Sequence, residues 1–364
     1  MKTEQLGINF DVPEVTIETE RDLLKRQSNQ IELLPLNEYD HVIVQLSAGK
    51  DSMVVLWKLL ELGVPKEKIE LWHQVVDGRF EDKVELFDWP CIESYIDSVG
   101  KLYGIQTFYQ WRESGIYGEM MRKNSLSGDV FYDNGSEVKR LKTTRGKKST
   151  RLKWPAASAD LRIRYCSAYV KIDVARRVLN NDPRYKGTID NPKKILVCSG
   201  ERRAESANRA KYNECEVHPS NTMSRICHTW RPVIDFSEEE IWSYYEKRRF
   251  LPAPPYLLGY NRTSCFGCIF STADLWAICR EIAPERFNHF VRLEKELNFT
   301  IDTNRIPLEQ KADMGSLKRL PKDKRVSKWV QMAFSRAFKP EDLITEKFEL
   351  PAGAFNGGAE GGPL

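Results

Sequence analysis

No apolar run in the sequence approaches the roughly 18 residues a bilayer-spanning helix needs, and the opening MKTEQLGINF has no basic stretch leading into an apolar one. Neither a membrane span nor a signal peptide is expected, and the expected location is cytoplasmic. A strong charge of one sign is also missing. Lys and Arg number 56 against 52 Asp and Glu, a net charge of +4, which says little about a polyanionic partner. No internal repeat is visible. Cysteine is sparse, eight in 364 residues, and none follows Cys279. Without a secretory signal, so few thiols in so long a chain argue against a disulfide framework and for free thiols, a metal or a cluster.

What is there starts with Ser47-Ala48-Gly49-Lys50-Asp51-Ser52, set between the apolar run His41 to Leu46 and the apolar-periodic segment Met53 to Leu62. A strand feeding a small-residue turn that opens a helix suits a phosphate, because the first-turn N–H groups are unpaired and the helix dipole is positive there. This is not a Walker A loop, which needs Gly at position 44 and Ser or Thr at 51; the chain has Val44 and Asp51.

The length suggests two domains or one elaborated one. Residues 1–40 read as an arm with one charged helix, Thr16 to Leu34. Over 41–236 strands at His41 to Leu46, Ile69 to Gly78, Ile105 to Trp111 and Lys193 to Gly200 alternate with helical segments, one from Asp88 or Trp89 to Tyr103. That alternation predicts an α/β fold with a doubly wound, mostly parallel sheet and helices on both faces. Ligands of such sheets collect beyond the carboxyl ends of strands, which would bring Asp77 and Gly78 toward the phosphate. Ser237 and Glu240 form a capping box, so a helix is expected from Glu238. Helical periodicity from Thr272, broken near Pro284, and again over Arg325 to Ala337 predicts a helical C-terminal subdomain, 237–349. The Gly-rich Leu350 to Leu364 reads as a disordered tail.

An insertion at about 118–155 interrupts the sheet pattern. Within it, Val138 to Lys153 carries eight Lys or Arg and no acid. That density can neutralise nucleic-acid phosphates or make a solvated loop, and the flanking aromatics are few: Phe131, Tyr132 and Trp154. Cys265-Phe266-Gly267-Cys268 can bring two thiols to one metal, with a helix start near Ser271 lowering their pKa, or can pack or form a redox pair. Cys91, Cys198 and Cys279 sit in apolar periodic segments and read as small buried hydrophobes.

Four segments come in a telling order: Ser47 to Ser52, RIRYCSAYVK (Arg162 to Lys171), SGERRAESANRAKY (Ser199 to Tyr212), and His228 to Cys268 with its Arg-Pro pair, Asp235, Pro-rich loop and C-x-x-C. Together, over roughly residues 41 to 275, they resemble the PAPS reductases and their relatives the PP-loop ATP pyrophosphatases, the adenine nucleotide alpha hydrolases. The resemblance implies ATP with Mg2+ bound at Ser47, Ala48, Gly49, Ser52, Asp77, Gly78, Gly200 and Arg209, with Lys50, Asp51, Arg202 and Arg203 as catalytic residues. By family order Cys166 joins Cys265 and Cys268, with Cys227 or Cys215 as fourth, around a four-iron four-sulfur cluster or a zinc ion. The chain departs from the family pattern twice: Ala48 replaces the first Gly of S-G-G-x-D-S, and Ser167 the second Cys of R-x-C-C.

The branch it resembles most in character is that of the DNA-phosphorothioation sulfurtransferases. That implies ATP-dependent adenylation of an acceptor, a nucleic acid held through Val138 to Lys153, then sulfur insertion from a donor such as a cysteine desulfurase. Two alternatives stand beside it. One is a PAPS or APS reductase releasing sulfite, although the C-terminal E-C-G cysteine of those enzymes has no counterpart after Cys279. The other is a non-catalytic nucleotide-binding regulator, which Ala48 and Ser167 keep open.

Overall fold

The computed structural model describes residues 30–80, 83–158, 160–263 and 265–356. The expected helix from Thr16 falls outside them except for its last residues, and these are extended. Ile31 N–H donates to the Cys215 carbonyl at 3.3 Å, so the chain enters alongside an edge strand.

The elements, in chain order, are β1 His41–Gln45, α1 Lys50–Glu61, β2 Ile69–Val75, α2 Cys91–Tyr103, β3 Gln106–Arg112, β4 Val130–Asp133, β5 Val138–Leu141, α3 Asp173–Asn181, β6 Lys193–Cys198, β7 Cys215–Val217 and β8 Arg225–Trp230. They form one sheet in the order β5-β4-β3-β2-β1-β6-β8-β7. The five strands β3, β2, β1, β6 and β8 are parallel, and β5, β4 and β7 run antiparallel at the two edges. Parallel strands covered on both faces read as continuous apolar runs. HVIVQ in β1 is such a run, with Val42, Ile43 and Val44 fully buried. The chain winds outward from β1 to β3 and returns to β6 on β1's other side. The order therefore reverses between β1 and β6, where an open α/β sheet leaves a crevice for ligands.

The expected parallel α/β sheet is thus present, with four strands the sequence reading did not contain, β4, β5, β7 and β8. β4 and β5 make an antiparallel ribbon inside the insertion. Their alternation is hard to read because β5, VKRL, has no fully buried residue and its charges mask the period-2 pattern.

Beyond the sheet come α4 Glu238–Arg248, α5 Ala273–Ile282, α6 Pro284–Leu297 and α7 Val326–Phe334. The capping box predicted for α4 is formed, with Ser237 Oγ accepting from Glu240 N and Glu240 Oε2 from Ser237 N. These helices share the sheet's main core: Trp57 stacks edge-on against Tyr245 at 4.8 Å, Trp89 against Phe266 at 4.8 Å and Phe87 against Phe290 at 5.4 Å. The tail expected to be disordered is packed as far as Asn356, where the description ends. Gly353 N–H donates to the Tyr256 carbonyl at 2.8 Å, and a Cβ on Gly353 would lie 1.9 Å from the Tyr260 carbonyl oxygen. Here glycine serves close backbone approach rather than flexibility.

Candidate nucleotide site

The loop after β1 is held by its own small residues. Gly49 is the N-cap of α1. Ser47 Oγ accepts from Gly49 N at 3.3 Å, while Ser52 Oγ donates to Gly49 O at 2.9 Å and accepts from Ser47 N at 3.4 Å. Ala48 sits at φ +58° in the left-handed region and is fully buried. An L-residue with a Cβ is strained there by roughly 1–2 kcal/mol. The turn thus keeps the conformation glycine would favour although the glycine is absent. From the other strand of the crevice, Gly200 lies directly against the start of α1: a Cβ there would meet Asp51 C and Ser52 N at 2.7 Å.

Four charges interlock behind the loop. Lys50, only 6% exposed, places Nζ 3.2 Å from Asp51 and 3.4 Å from Glu238. Arg202 Nε donates to Asp51 Oδ1 at 2.6 Å, its Nη2 to Glu238 Oε2 at 2.6 Å and its Nη1 to the Phe236 carbonyl at 3.1 Å. Burial alone would push the Asp51 carboxyl up, but Lys50 and Arg202 outweigh it and hold the group below the usual carboxylate range. Burial likewise works against the Lys50 ammonium, and Asp51, Tyr256 and Glu238 reverse it. Both residues therefore stay charged in a place where isolated charges would neutralise. Tyr256 also accepts from the Lys50 backbone N–H through its hydroxyl at 2.9 Å.

In front of this network opens a cleft of about 190 Å³, lined by residues that include Ser47, Gly49, Lys50, Asp51, Ser52, Gly200 and Arg209. Seven of the residues expected at a nucleotide site thus converge, with Ala48 behind the loop and Arg202 bonded to Asp51. The cleft also takes in Glu201, Glu205, Tyr256 and Thr263, to which the sequence reading gave no role at the site. The Thr263 hydroxyl, on a residue 4% exposed, has no hydrogen-bond partner among the described residues and stands where a Cβ on Gly49 would be 3.6 Å from it. A buried polar atom left unmatched beside a phosphate-type loop is a fit for a polar ligand. Arg164 was likewise missed: its Nε and Nη1 have no partner among the described residues, and it lies near Cys166, Arg209 and Arg262. Its place before Cys166 in RIRYCS was the available signal.

Other expected residues lie elsewhere. Arg203 turns away from the cleft, donating to Asp235 and, at 3.2 and 3.0 Å, to the Tyr212 carbonyl. Asp77 and Gly78 do not line the cleft either. The Asp77 carboxylate accepts the backbone N–H groups of Leu86, Phe87 and Asp88, thereby shaping the turn before α2. Burial and neighbouring Asp88 push Asp77 up to about 7.

The cysteines divide. Cys166, Cys265 and Cys268 lie close enough to influence one another electrostatically. Cys227 is fully buried on β8, in the core cluster on the opposite face of the sheet, because alternate residues of a strand point to opposite faces. It does not join the other three. Among the described residues no group of three or more His, Cys, Asp or Glu is arranged to hold a metal ion, so the expected cluster or zinc ligand set is not assembled here. At Cys265 of the C-x-x-C the direction is opposite to the expected lowering. Burial pushes Cys166 up to about 11 and Cys265 well above its usual range, while α5 starts only at Ala273, capped by Thr272.

Comparison with known proteins bears on this geometry. The chain is 23% identical to a 37.8 kDa protein encoded in the gpa 5′ region of Escherichia phage 186, over 62% of this chain and 66% of the phage protein, just under two thirds of the latter's length. It is 23% identical to an uncharacterized protein of Methanocaldococcus jannaschii over 75% of this chain and 69% of that protein. Among solved structures, FMN adenylyltransferase of Candida glabrata, in complex with FMN and an ATP analogue, aligns over 70% of this chain and 66% of its own at 12% identity and a TM-score of 0.32. No candidate membrane-spanning helix occurs among the described residues. The model of the phosphoadenosine phosphosulfate reductase domain matches residues 41–272, from the first residue of β1 to the cap of α5, and the chain belongs to that family.

Proposed function

We propose that the protein binds ATP in the cleft between β1 and β6 and cleaves it between the α and β phosphates, transferring AMP to an acceptor. The observation that carries this is the convergence of Gly49, Lys50 and Arg209 with the unpartnered Thr263 hydroxyl around one cleft. Lys50 and Arg209 counter the charge of the leaving pyrophosphate and the loop's backbone positions it, while Mg2+ bound with the nucleotide would supply further countercharge. An acceptor oxygen attacks the α phosphorus, the bond to the β phosphate breaks and pyrophosphate leaves. A sulfur nucleophile, supplied by a donor such as a cysteine desulfurase, then displaces AMP together with that oxygen, which makes the protein a sulfurtransferase with a nucleic acid as acceptor.

A reductase acting on a sulfonucleotide needs a reactive cysteine. Cys279, the last in the sequence, is buried in α5 with its thiol pushed far up by burial, which favours the ATP reading. The test is pyrophosphate release from ATP by the purified protein. We expect release that is lost in Lys50→Ala and in Arg209→Ala; sulfite release from PAPS in its place would overturn the reading.

A further inference from the structure

The eight cations of Val138 to Lys153 do not behave alike. Lys139 pairs with Glu137, Arg140 with Asp129 at 2.6 Å, and Arg151 approaches Glu119 at 3.5 Å. Lys142, Arg145 and Lys147 are exposed, and among the described residues no carboxylate pairs with them. All three line a cavity of about 680 Å³, whose walls include Arg112, Arg122, Arg177, Tyr169 and a single acid, Asp173. That acid is already taken, since Arg112 Nη2 bonds it at 2.5 Å.

The loop carrying these three cations is fixed at both ends. Arg177 of α3 donates to Thr143 Oγ1 at 2.7 Å and to the carbonyls of Leu141 and Lys142 at 2.8 and 3.0 Å. Arg122, 9% exposed, donates to Ser149 Oγ at 2.7 Å, and Ser125 and Ser149 exchange backbone hydrogen bonds. Three guanidinium groups thus hold the wall and rim in place, and three further cations are left without a countercharge at the mouth.

We infer that this cavity seats the phosphates of a single-stranded nucleic-acid segment. Several cations spaced along a rim match a repeating backbone charge better than one terminal phosphate, and Lys148 continues the exposed charge beyond the mouth. A cavity of this size takes a few nucleotides of a flexible strand, and Tyr169 contributes an aromatic ring to its wall, as single-strand sites do. Ala168 and Tyr169 belong to a wide π-type turn, Ala168–Ile172, that follows directly on Tyr165–Ser167. The turn lining the cavity is therefore continuous with the one bearing Cys166, three residues before Tyr169. The assignment of this strand as the acceptor rests on the ATP reading; its binding does not.

The test is fluorescence anisotropy of a short labelled single-stranded DNA with the full chain, across a salt series, for wild type and for Lys142→Ala/Arg145→Ala/Lys147→Ala. The wild type should bind the single strand more tightly than the matching duplex. The triple variant should bind at least tenfold more weakly, and its salt slope should be shallower by about 2, from roughly 0.7 per lost phosphate contact. An unchanged thermal melt and unchanged ATP affinity control for folding. Equal affinity and slope in the variant, equal affinity for duplex, or no oligonucleotide binding while ATP still binds would overturn the inference. Loss of ATP binding in a wild type that still binds the strand would sink the ATP reading alone.

Discussion

Two clusters of cations lie beyond the carboxyl ends of this sheet's strands, and they are built on opposite plans. Behind the phosphate loop, Lys50 and Arg202 are buried and each is matched by Asp51 and Glu238. Around the insertion cavity the buried Arg112 has its acid, whereas Lys142, Arg145 and Lys147 stand exposed without one. A buried cation must be matched within the protein, because an unpaired charge there costs several kcal/mol. An exposed cation can wait for a ligand's charge, because water solvates it meanwhile. The first cluster therefore fixes the loop and the place of Lys50 in the cleft, and the second presents unmatched charge to a partner.

Replacing Arg202 with Ala should break the first plan most severely. It leaves Asp51 and Glu238 short of a countercharge, and chemical denaturation should report a loss of about 3–5 kcal/mol, whereas Arg145→Ala at the rim should stay within about 0.5 kcal/mol of wild type. Equal losses would erase the distinction. Gly200→Ala should come next, costing about 1–3 kcal/mol by forcing a methyl into the backbone of α1, and it should weaken ATP binding without altering binding of a single strand. Asp77 and Asp88 offer an intermediate case, a buried acid beside a half-buried one. The folded-state value of Asp77 lies near 7 against 3.8 when exposed, so the folded protein binds the extra proton between those values. Stability should accordingly fall as pH rises from about 4 to about 7, at no more than about 1.4 kcal/mol per unit. Asp77→Asn should flatten that slope in denaturation curves taken across the window. The smallest effect belongs to Ala48→Gly, which relieves the left-handed strain but gives up a buried methyl worth about 0.8 kcal/mol. Its melting temperature should move by no more than a few degrees.

Four of the five parallel strands were legible because β1, β2, β3 and β6 are apolar runs, and α2 and α4 because they carry helical periodicity or a capping box, whereas β8, RICHTW, mixes polar and apolar residues and was not read as a strand. Their boundaries shifted by only a few residues. The ribbon β4–β5 was not legible, since VKRL sets two charges side by side between its apolar residues, at a sheet edge where little is buried. At the site, Lys50, Asp51, Gly200, Arg202 and Arg209 were legible as motif positions. Glu238 was seen only as a helix start, although it also neutralises Lys50 and Arg202 across the fold, a contact with no local signature. Arg203 looked equivalent to Arg202 because the two are adjacent, but Arg202 is the extended cap of a 3-10 turn and Arg203 its first residue, so their side chains reach different partners. Asp77 and Cys227 were misplaced for related reasons: being near a strand's end, or sharing a residue type, does not decide which way a side chain faces.

The central claim is cleavage of ATP at the α phosphate in the cleft built on Lys50. Phosphorus NMR of ATP and Mg2+ incubated with stoichiometric protein and a single-stranded oligonucleotide reads it most directly. The account predicts pyrophosphate together with AMP, free or bound to the oligonucleotide, and neither product with Lys50→Ala. ADP and inorganic phosphate, or unchanged ATP that is nonetheless bound, would contradict it.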